Sequence, residues 1–170
     1  MHTVNDIKQT EAKGPWQSKS GGSLDVLFAL SETETQQFLD YKNPEFDTIK
    51  QATGINIRGL RSYTVSNIAK GSIGAKEWHK ARSEYLYAPM GSATVHCVDL
   101  AGNEKTFTVS PQQAIIIPPT ILHTYTALED NTKLQVICNT LFIPEEPETH
   151  DSFLSDEFYQ LARGTDASSH

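Results

Sequence analysis

Residues 74–91 read Gly-Ala-Lys-Glu-Trp-His-Lys-Ala-Arg-Ser-Glu-Tyr-Leu-Tyr-Ala-Pro-Met-Gly, and this stretch decides the fold. Glu77 and His79 stand two apart, so on an extended strand both side chains turn to one face. A short polar turn over 80–83 follows, and Glu84 then opens a second strand-like run, Tyr85-Leu86-Tyr87. Three groups able to bind a metal or move a proton are thereby placed on neighbouring strands. A fourth, His123, comes after Ile115-Ile116-Ile117-Pro118-Pro119. That is a buried strand ended by two residues that cannot donate to a ladder.

Working outward, the chain from residue 55 onward reads as strand after strand. Runs at 57–68, 75–79, 84–87, 92–100, 105–109, 114–117, 123–127 and 133–140 mix β-branched, aromatic and alternating polar residues. Turn residues separate them, among them 71–74 and the Gly102-Asn103 hairpin, at intervals suited to a sandwich or barrel. The core therefore spans 55–143, inside a single domain of 24–163. Before it, 24–30 forms a first strand. Ser31 with Glu34 has the form of a capping box, starting a helix that carries Phe38, Leu39 and Tyr41 and ends before Pro44. A second short turn over 46–52 stops at Gly54. Residues 1–23 are polar and Gly/Ser-rich and read as a flexible arm, with Trp16 as its anchor. After the core, 155–162 forms a short helix with Phe158 and Leu161 on one face, and 164–170 is a disordered tail.

The 170 residues can bury a core without disulfides, and Cys97 and Cys138 lie in apolar runs, as buried thiols in a reducing compartment do. A net charge of -7 argues against nucleic acid as a partner. No signal-peptide pattern opens the chain and no run approaches the ~18 apolar residues of a membrane span, so a cytoplasmic location is the default expectation.

The spacing Glu-x-His-(x4)-Glu-(x6)-Gly, followed by Pro-(x4)-His, resembles the two motifs of the cupin superfamily (RmlC-like jelly rolls). The resemblance implies an all-β, double-stranded antiparallel β-helix, a cupin jelly-roll barrel with short N- and C-terminal helical segments. Carried over position by position, it implies a metal or active-site quartet of Glu77, His79, Glu84 and His123, with Gly91 as the turn glycine. Four positions depart from the motifs: Glu77 stands for the usual first histidine, Thr120 for the glycine after the proline, Gln112 for the second motif's opening glycine and Ala127 for its asparagine. His79-Lys80, Gly91-Ser92-Ala93, the Ile-Pro-Pro before His123 and the segment from Phe142 to Thr149 look like cupins acting on nucleotide-linked keto-sugars. These include sugar epimerases, ketoisomerases and the C-terminal cupin of capsular polysaccharide enzymes.

Two imidazoles and two carboxylates suit a divalent transition metal such as zinc, iron, manganese or nickel. A metal with an open position polarises a carbonyl and stabilises the enediolate formed when a base removes the neighbouring proton. The expected activity is thus isomerisation or epimerisation of a sugar-like keto compound. Without metal, His123 or Glu77 becomes the base, and Tyr125, two residues beyond His123 on the same face, could donate to the oxyanion. A metal-dependent dioxygenase and a non-catalytic small-ligand-binding barrel are the alternatives. The competing structural reading makes Glu77, His79 and Glu84 surface ion pairs with Lys76, Lys80 and Arg82. Arg58 and Arg61 have the geometry to grip a phosphate bidentately, but at a strand edge the solvated reading is preferred. A small-molecule partner and a homodimer, paired through an edge strand, complete the expectations.

Overall fold

The computed structural model of the protein describes residues 1–39 and 43–167, with side chains through Arg163. The described residues form twelve strands, β1 (Lys8–Glu11), β2 (Lys13–Gln17), β3 (Ser23–Val26), β4 (Arg58–Ile68), β5 (Ile73–Trp78), β6 (Glu84–Met90), β7 (Ala93–Val98), β8 (Glu104–Val109), β9 (Gln113–Ile117), β10 (Leu122–Ala127), β11 (Thr132–Thr140) and β12 (Phe153–Leu154). Helices α1 (Glu32–Leu39), α2 (Pro44–Thr53) and α3 (Ser155–Ala167) flank them. Two five-stranded antiparallel sheets, β1-β9-β6-β11-β4 and β12-β5-β10-β7-β8, face each other as a jelly-roll barrel, and β2-β3 stands apart as a hairpin.

Alternation along the strands decides what fills the barrel. On β6, Glu84, Leu86 and Ala88 point inward beside Ile115 and Ile117 of β9 and Val136 and Cys138 of β11, while Tyr85 and Tyr87 point outward. Leu86, Val95, Phe107, Val109, Ile115, Leu134 and both cysteines pack as one apolar core between the sheets. Outside the first sheet, Phe28 stacks on Tyr85 at 4.1 Å, and Phe38 of α1 covers the same ring. Outside the second, Trp78 packs against Phe153 and Phe158 beneath α3. The inner and outer faces of each sheet are therefore both covered in places, which explains the near-continuous apolar runs.

Helix α1 starts as its residues dictate: the Ser31 backbone N–H donates to the Glu34 carboxylate at 2.9 Å, and Glu34 N–H donates back to Ser31 Oγ at 3.3 Å. Tyr41, expected on this helix, lies outside the described residues. The run expected as a turn over 46–52 is helix α2, begun by Pro44 and ended by Gly54 at φ 77°.

Three expectations are corrected. Residues 1–23 are not a loose arm: Val4 and Ile7 are buried in the core, and β1 pairs with β9 along the sheet edge. The helix expected at 155–162 continues to Ala167, so the disordered tail does not begin at 164. On that helix Phe158 is fully buried but Leu161 is 42% exposed, and it is Ala162 that packs against the cluster of Trp78, Val98, Leu100, Leu122 and Phe158. No helix among the described residues is long and apolar enough to cross a membrane.

Candidate active site

Glu84 stands at the centre of the candidate site. One of its oxygens, Oε1, lies 3.4 Å from His79 Nε2, 3.4 Å from Arg82 Nη1 and 3.4 Å from the Tyr63 hydroxyl, and the other, Oε2, lies 3.4 Å from His123 Nε2. His79, Arg82, Glu84 and His123 are each under 5% exposed. Glu77 is half-buried, and one of its oxygens lies with His79 and His123 nitrogens inside a 4.8 Å cluster. The structure thus brings together Glu77, His79, Glu84 and His123. It adds Tyr63 and Arg82, the latter expected from the sequence as part of a solvated charge cluster.

Each imidazole is held from behind. His79 Nδ1 lies 2.5 Å from the Asp151 carbonyl and His123 Nδ1 lies 3.1 Å from the Ile121 carbonyl, so both Nδ1–H groups donate to backbone and both Nε2 atoms face Glu84. Lone pairs converging on carboxylates demand a positive charge between them, either a proton or a metal ion. Burial alone would push the Glu84 carboxyl up, but the two imidazoles and the Arg82 guanidinium hold it well below the usual carboxylate range. Burial pushes His123 the other way, below its ordinary 6.5, favouring the neutral ring. Burial also keeps the Tyr63 phenol protonated, with Glu84 adding to the effect.

Backbone features aim these side chains. Across β5 and β10, His123 pairs with Glu77 and Thr124 with Ala75, leaving Lys76 as an extra residue. Ala75 and Lys76 adopt φ 63° and 62°, left-handed conformations costing about 1–2 kcal/mol each for residues with a Cβ. The bulge turns Glu77 inward, next to His123. The loop after His79 is clamped by Asp151, which is 3% exposed and accepts from the backbone N–H of Lys80, Ala81 and Arg82 at 2.8, 2.8 and 2.7 Å. Asn139 ties the next residue, accepting from Ser83 N–H at 2.8 Å while donating to the Phe38 carbonyl.

Thr120, at the motif's glycine position, sits at φ 65° and donates its N–H to the His79 carbonyl at 2.8 Å. Its hydroxyl is buried and has no hydrogen-bond partner among the described residues. Thr120→Gly should therefore stabilise the protein by about 1 kcal/mol, seen as a higher urea midpoint at unchanged slope. No change in midpoint would mean that the loop relaxes at no cost.

Tyr125 lies on the His123 face of β10, with its ring packed over Gly74, where any Cβ would collide with it. Among the described residues no hydrogen bond joins it to the quartet. Asp151 carried no signal in the sequence, being one acid among many in a polar tail. Arg82 could have been found from its position two before Glu84, which gives both the same face. A cavity of about 770 Å³ lies on the outer face of the first sheet against Phe28, Phe38 and Tyr85, and none of the quartet lines it.

With this geometry in hand, comparison with known proteins adds the family. Residues 30–156 match the family described as FdtA, WxcM-like, C-terminal. The chain belongs to this family. No curated protein sequence matches the FdtA-family chain. Among solved structures, it is similar to QdtA, a sugar 3,4-ketoisomerase from Thermoanaerobacterium thermosaccharolyticum in complex with TDP, at TM-score 0.62 and 15% identity, covering 95% of this chain and 98% of that one. A 3,4-ketoisomerase from Helicobacter canadensis gives TM-score 0.60 and 17% identity, covering 93% and 98%. The dTDP-4-dehydrorhamnose 3,5-epimerase from Elizabethkingia anophelis NUHP1 gives 0.53 and 13%, covering 85% and 75%. At these identities the likeness establishes the FdtA-family fold as the cupin jelly roll.

Proposed function

We propose that the protein is an isomerase or epimerase that moves a proton on a carbon next to the carbonyl of a nucleotide-linked keto-sugar, with His79 and His123 as the proton carriers. The observation that carries this reading is the convergence of two Nε2 atoms, each fixed by a backbone carbonyl behind it, on the buried Glu84. The 3,4-ketoisomerases and the 3,5-epimerase with the same fold support the substrate class.

A neutral imidazole takes the proton from the carbon beside the carbonyl, leaving an enediolate. The imidazolium so formed sits against Glu84, which offsets its charge, while Arg82 keeps that carboxylate ionised. Returning the proton to the former carbonyl carbon, while the neighbouring hydroxyl proton passes to the former carbonyl oxygen, completes an isomerisation, and returning it to the opposite face of the carbon it left completes an epimerisation. No oxidant enters either balance. Tyr63, a protonated phenol beside the hub, is placed to donate to the enediolate oxygen, and Tyr125 is a second donor on the His123 face.

The donor set also fits a divalent transition metal. Glu77, His79 and His123 offer ligand atoms within 4.8 Å of one another, Glu84 stands beside them, and among the described residues His79 Nε2 makes no well-formed hydrogen bond, its nearest acceptor being Glu84 Oε1 at 3.4 Å. Bound there, such an ion would polarise the sugar carbonyl and would occupy the Nε2 lone pairs, so proton transfer by His79 and His123 belongs to the metal-free site.

The test is incubation with a panel of nucleotide-linked keto-sugars in deuterated water. Deuterium should appear on the carbon next to the carbonyl, and silence across the panel would remove the reading. Oxygen uptake by iron-loaded protein without exchange would replace it with the dioxygenase. Since burial holds His123 below 6.5, its base form persists to lower pH than free imidazole, so the acid limb of kcat/KM should fall below about 6.5. The stability signs agree. Glu84 favours folding above the ordinary carboxylate value of 4.5 and loses that contribution as pH falls through its lowered pKa. The unfolded chain takes up a proton on His123 before the folded one does, so acid destabilises through this residue too.

A homodimer belongs to the same reading. The β2-β3 hairpin joins neither sheet and leaves Trp16 51% and Leu24 46% exposed, apolar surface that a second copy would cover. Sedimentation equilibrium at micromolar concentration should report twice the chain mass, and a lone chain mass would refute the dimer.

A further inference from the structure

We propose that Arg61 is the anion anchor of the site and binds the diphosphate of the substrate, an assignment that rests on the nucleotide-sugar reading above. Arg61 lies on β4 opposite the inward-facing Cys138 and two residues before Tyr63, whose hydroxyl touches Glu84. It therefore shares the chamber side of its strand with the catalytic cluster.

The guanidinium is set between two rings, 5.0 Å from the centre of Tyr63 and 5.3 Å from the centre of Phe142. Phe142 in turn stacks on His150 at 4.2 Å and an interplanar angle of 20°, and His150 is fixed by the Ile143 carbonyl at 2.7 Å. Rings hold the faces of a guanidinium and leave its N–H edges for acceptors. Here those edges have none: among the described residues no carboxylate reaches ion-pair distance of Arg61, and its Nε is buried without a partner.

The other two arginines of this region show the contrast. Arg58 spends its Nη groups on Asp47 and the Asn43 carbonyl, and Arg82 is committed to Glu84 and Thr140. In a chain with 21 acidic side chains, a ring-held guanidinium beside the site with no acid against it is arranged for an anion from outside. A planar fork of N–H groups matches adjacent phosphate oxygens bidentately. A nucleotide-linked sugar carries two such phosphates a short reach from its sugar ring, so one ligand spans Arg61 and the imidazole pair.

The experiment is calorimetric titration of the full chain with TDP, for wild type, Arg61→Gln and Arg61→Lys, alongside the deuterium-exchange assay. Arg61→Gln should weaken TDP binding by about 10- to 100-fold, the loss of a charge-assisted pair. Arg61→Lys should recover part of it, because lysine restores the charge without the fork. Wild-type binding should also weaken with salt more steeply than that of Arg61→Gln. In turnover, KM for the nucleotide-sugar should rise more than kcat falls. Equal TDP affinity in wild type and a folded Arg61→Gln or Arg61→Lys variant overturns the assignment and leaves the proton-transfer reading intact. Wild type that exchanges the keto-sugar proton but does not bind TDP does the same. Arg61-dependent TDP binding without exchange on any keto-sugar upholds the anchor and removes the reaction.

Discussion

Asp151→Ala should lower the unfolding free energy by about 3–5 kcal/mol and abolish proton exchange, the largest stability effect expected of a single polar side chain here. Three buried or part-buried backbone N–H groups end on its carboxylate, two on Oδ2 and one on Oδ1. Alanine offers them nothing, and the barrel wall keeps water out. The same loop carries Arg82 into the chamber and follows directly from His79, whose ring leans on the Asp151 carbonyl. Loosening the loop therefore unseats an imidazole and the guanidinium that faces Glu84. Asp151→Asn is the informative companion. Its single side-chain oxygen can still accept two N–H groups, but its amide turns donor toward donor at the third, so both stability and activity should fall between wild type and alanine. Urea unfolding of the three proteins decides it. An alanine variant within about 1 kcal/mol of wild type would show that the loop is held by other contacts.

The second large effect concerns the imidazoles. His79→Asn and His123→Asn should each lower kcat by about 10²- to 10⁴-fold, the usual worth of a positioned acid or base, while both variants fold. The rings stand 5.3 Å apart, centre to centre, and share one carboxylate. Their functions are coupled through it, so the double variant should lose far less than the product of the two single losses. Solvent deuterium exchange separates the roles. A variant that still exchanges the substrate proton but forms no isomer has lost the returning acid, and one that exchanges nothing has lost the base. Two single variants with wild-type exchange rates would exclude both rings as carriers.

Much of the barrel was legible because its strands alternate and its turns carry Gly, Asn and Pro where the chain reverses. The quartet was legible for a related reason: Glu77, His79 and Glu84 are close in sequence, and the strand ended by Pro118-Pro119 leads to His123. The edge strand β1 was not. Its residues Lys8-Gln9-Thr10-Glu11 show no apolar alternation, and it joins β9 through backbone hydrogen bonds that polar sequence does not announce. Arg82 was misread because Lys76, Lys80 and Arg82 look alike as a solvated charge cluster, whereas only folding decides that Lys80 stays out and Arg82 goes in. Asp151 lies some seventy positions from the loop it holds, a distance that only the return of the C-terminal segment against β5 can close. Sequence spacing reports neighbours along one hairpin and is silent on such returns.

The extra residue at Lys76 makes chain length itself a functional variable between Gly74 and His79. Removing Lys76 would leave Ala75 opposite Thr124 and Glu77 opposite His123 as before, closing the bulge into a plain ladder with Glu77 still turned inward. Removing Ala75 and Lys76 together would instead bring Glu77 opposite Thr124 and the indole of Trp78 opposite His123, reversing the alternation. Natural or engineered shortening of this segment should accordingly be tolerated by one residue at the bulge and punished at two.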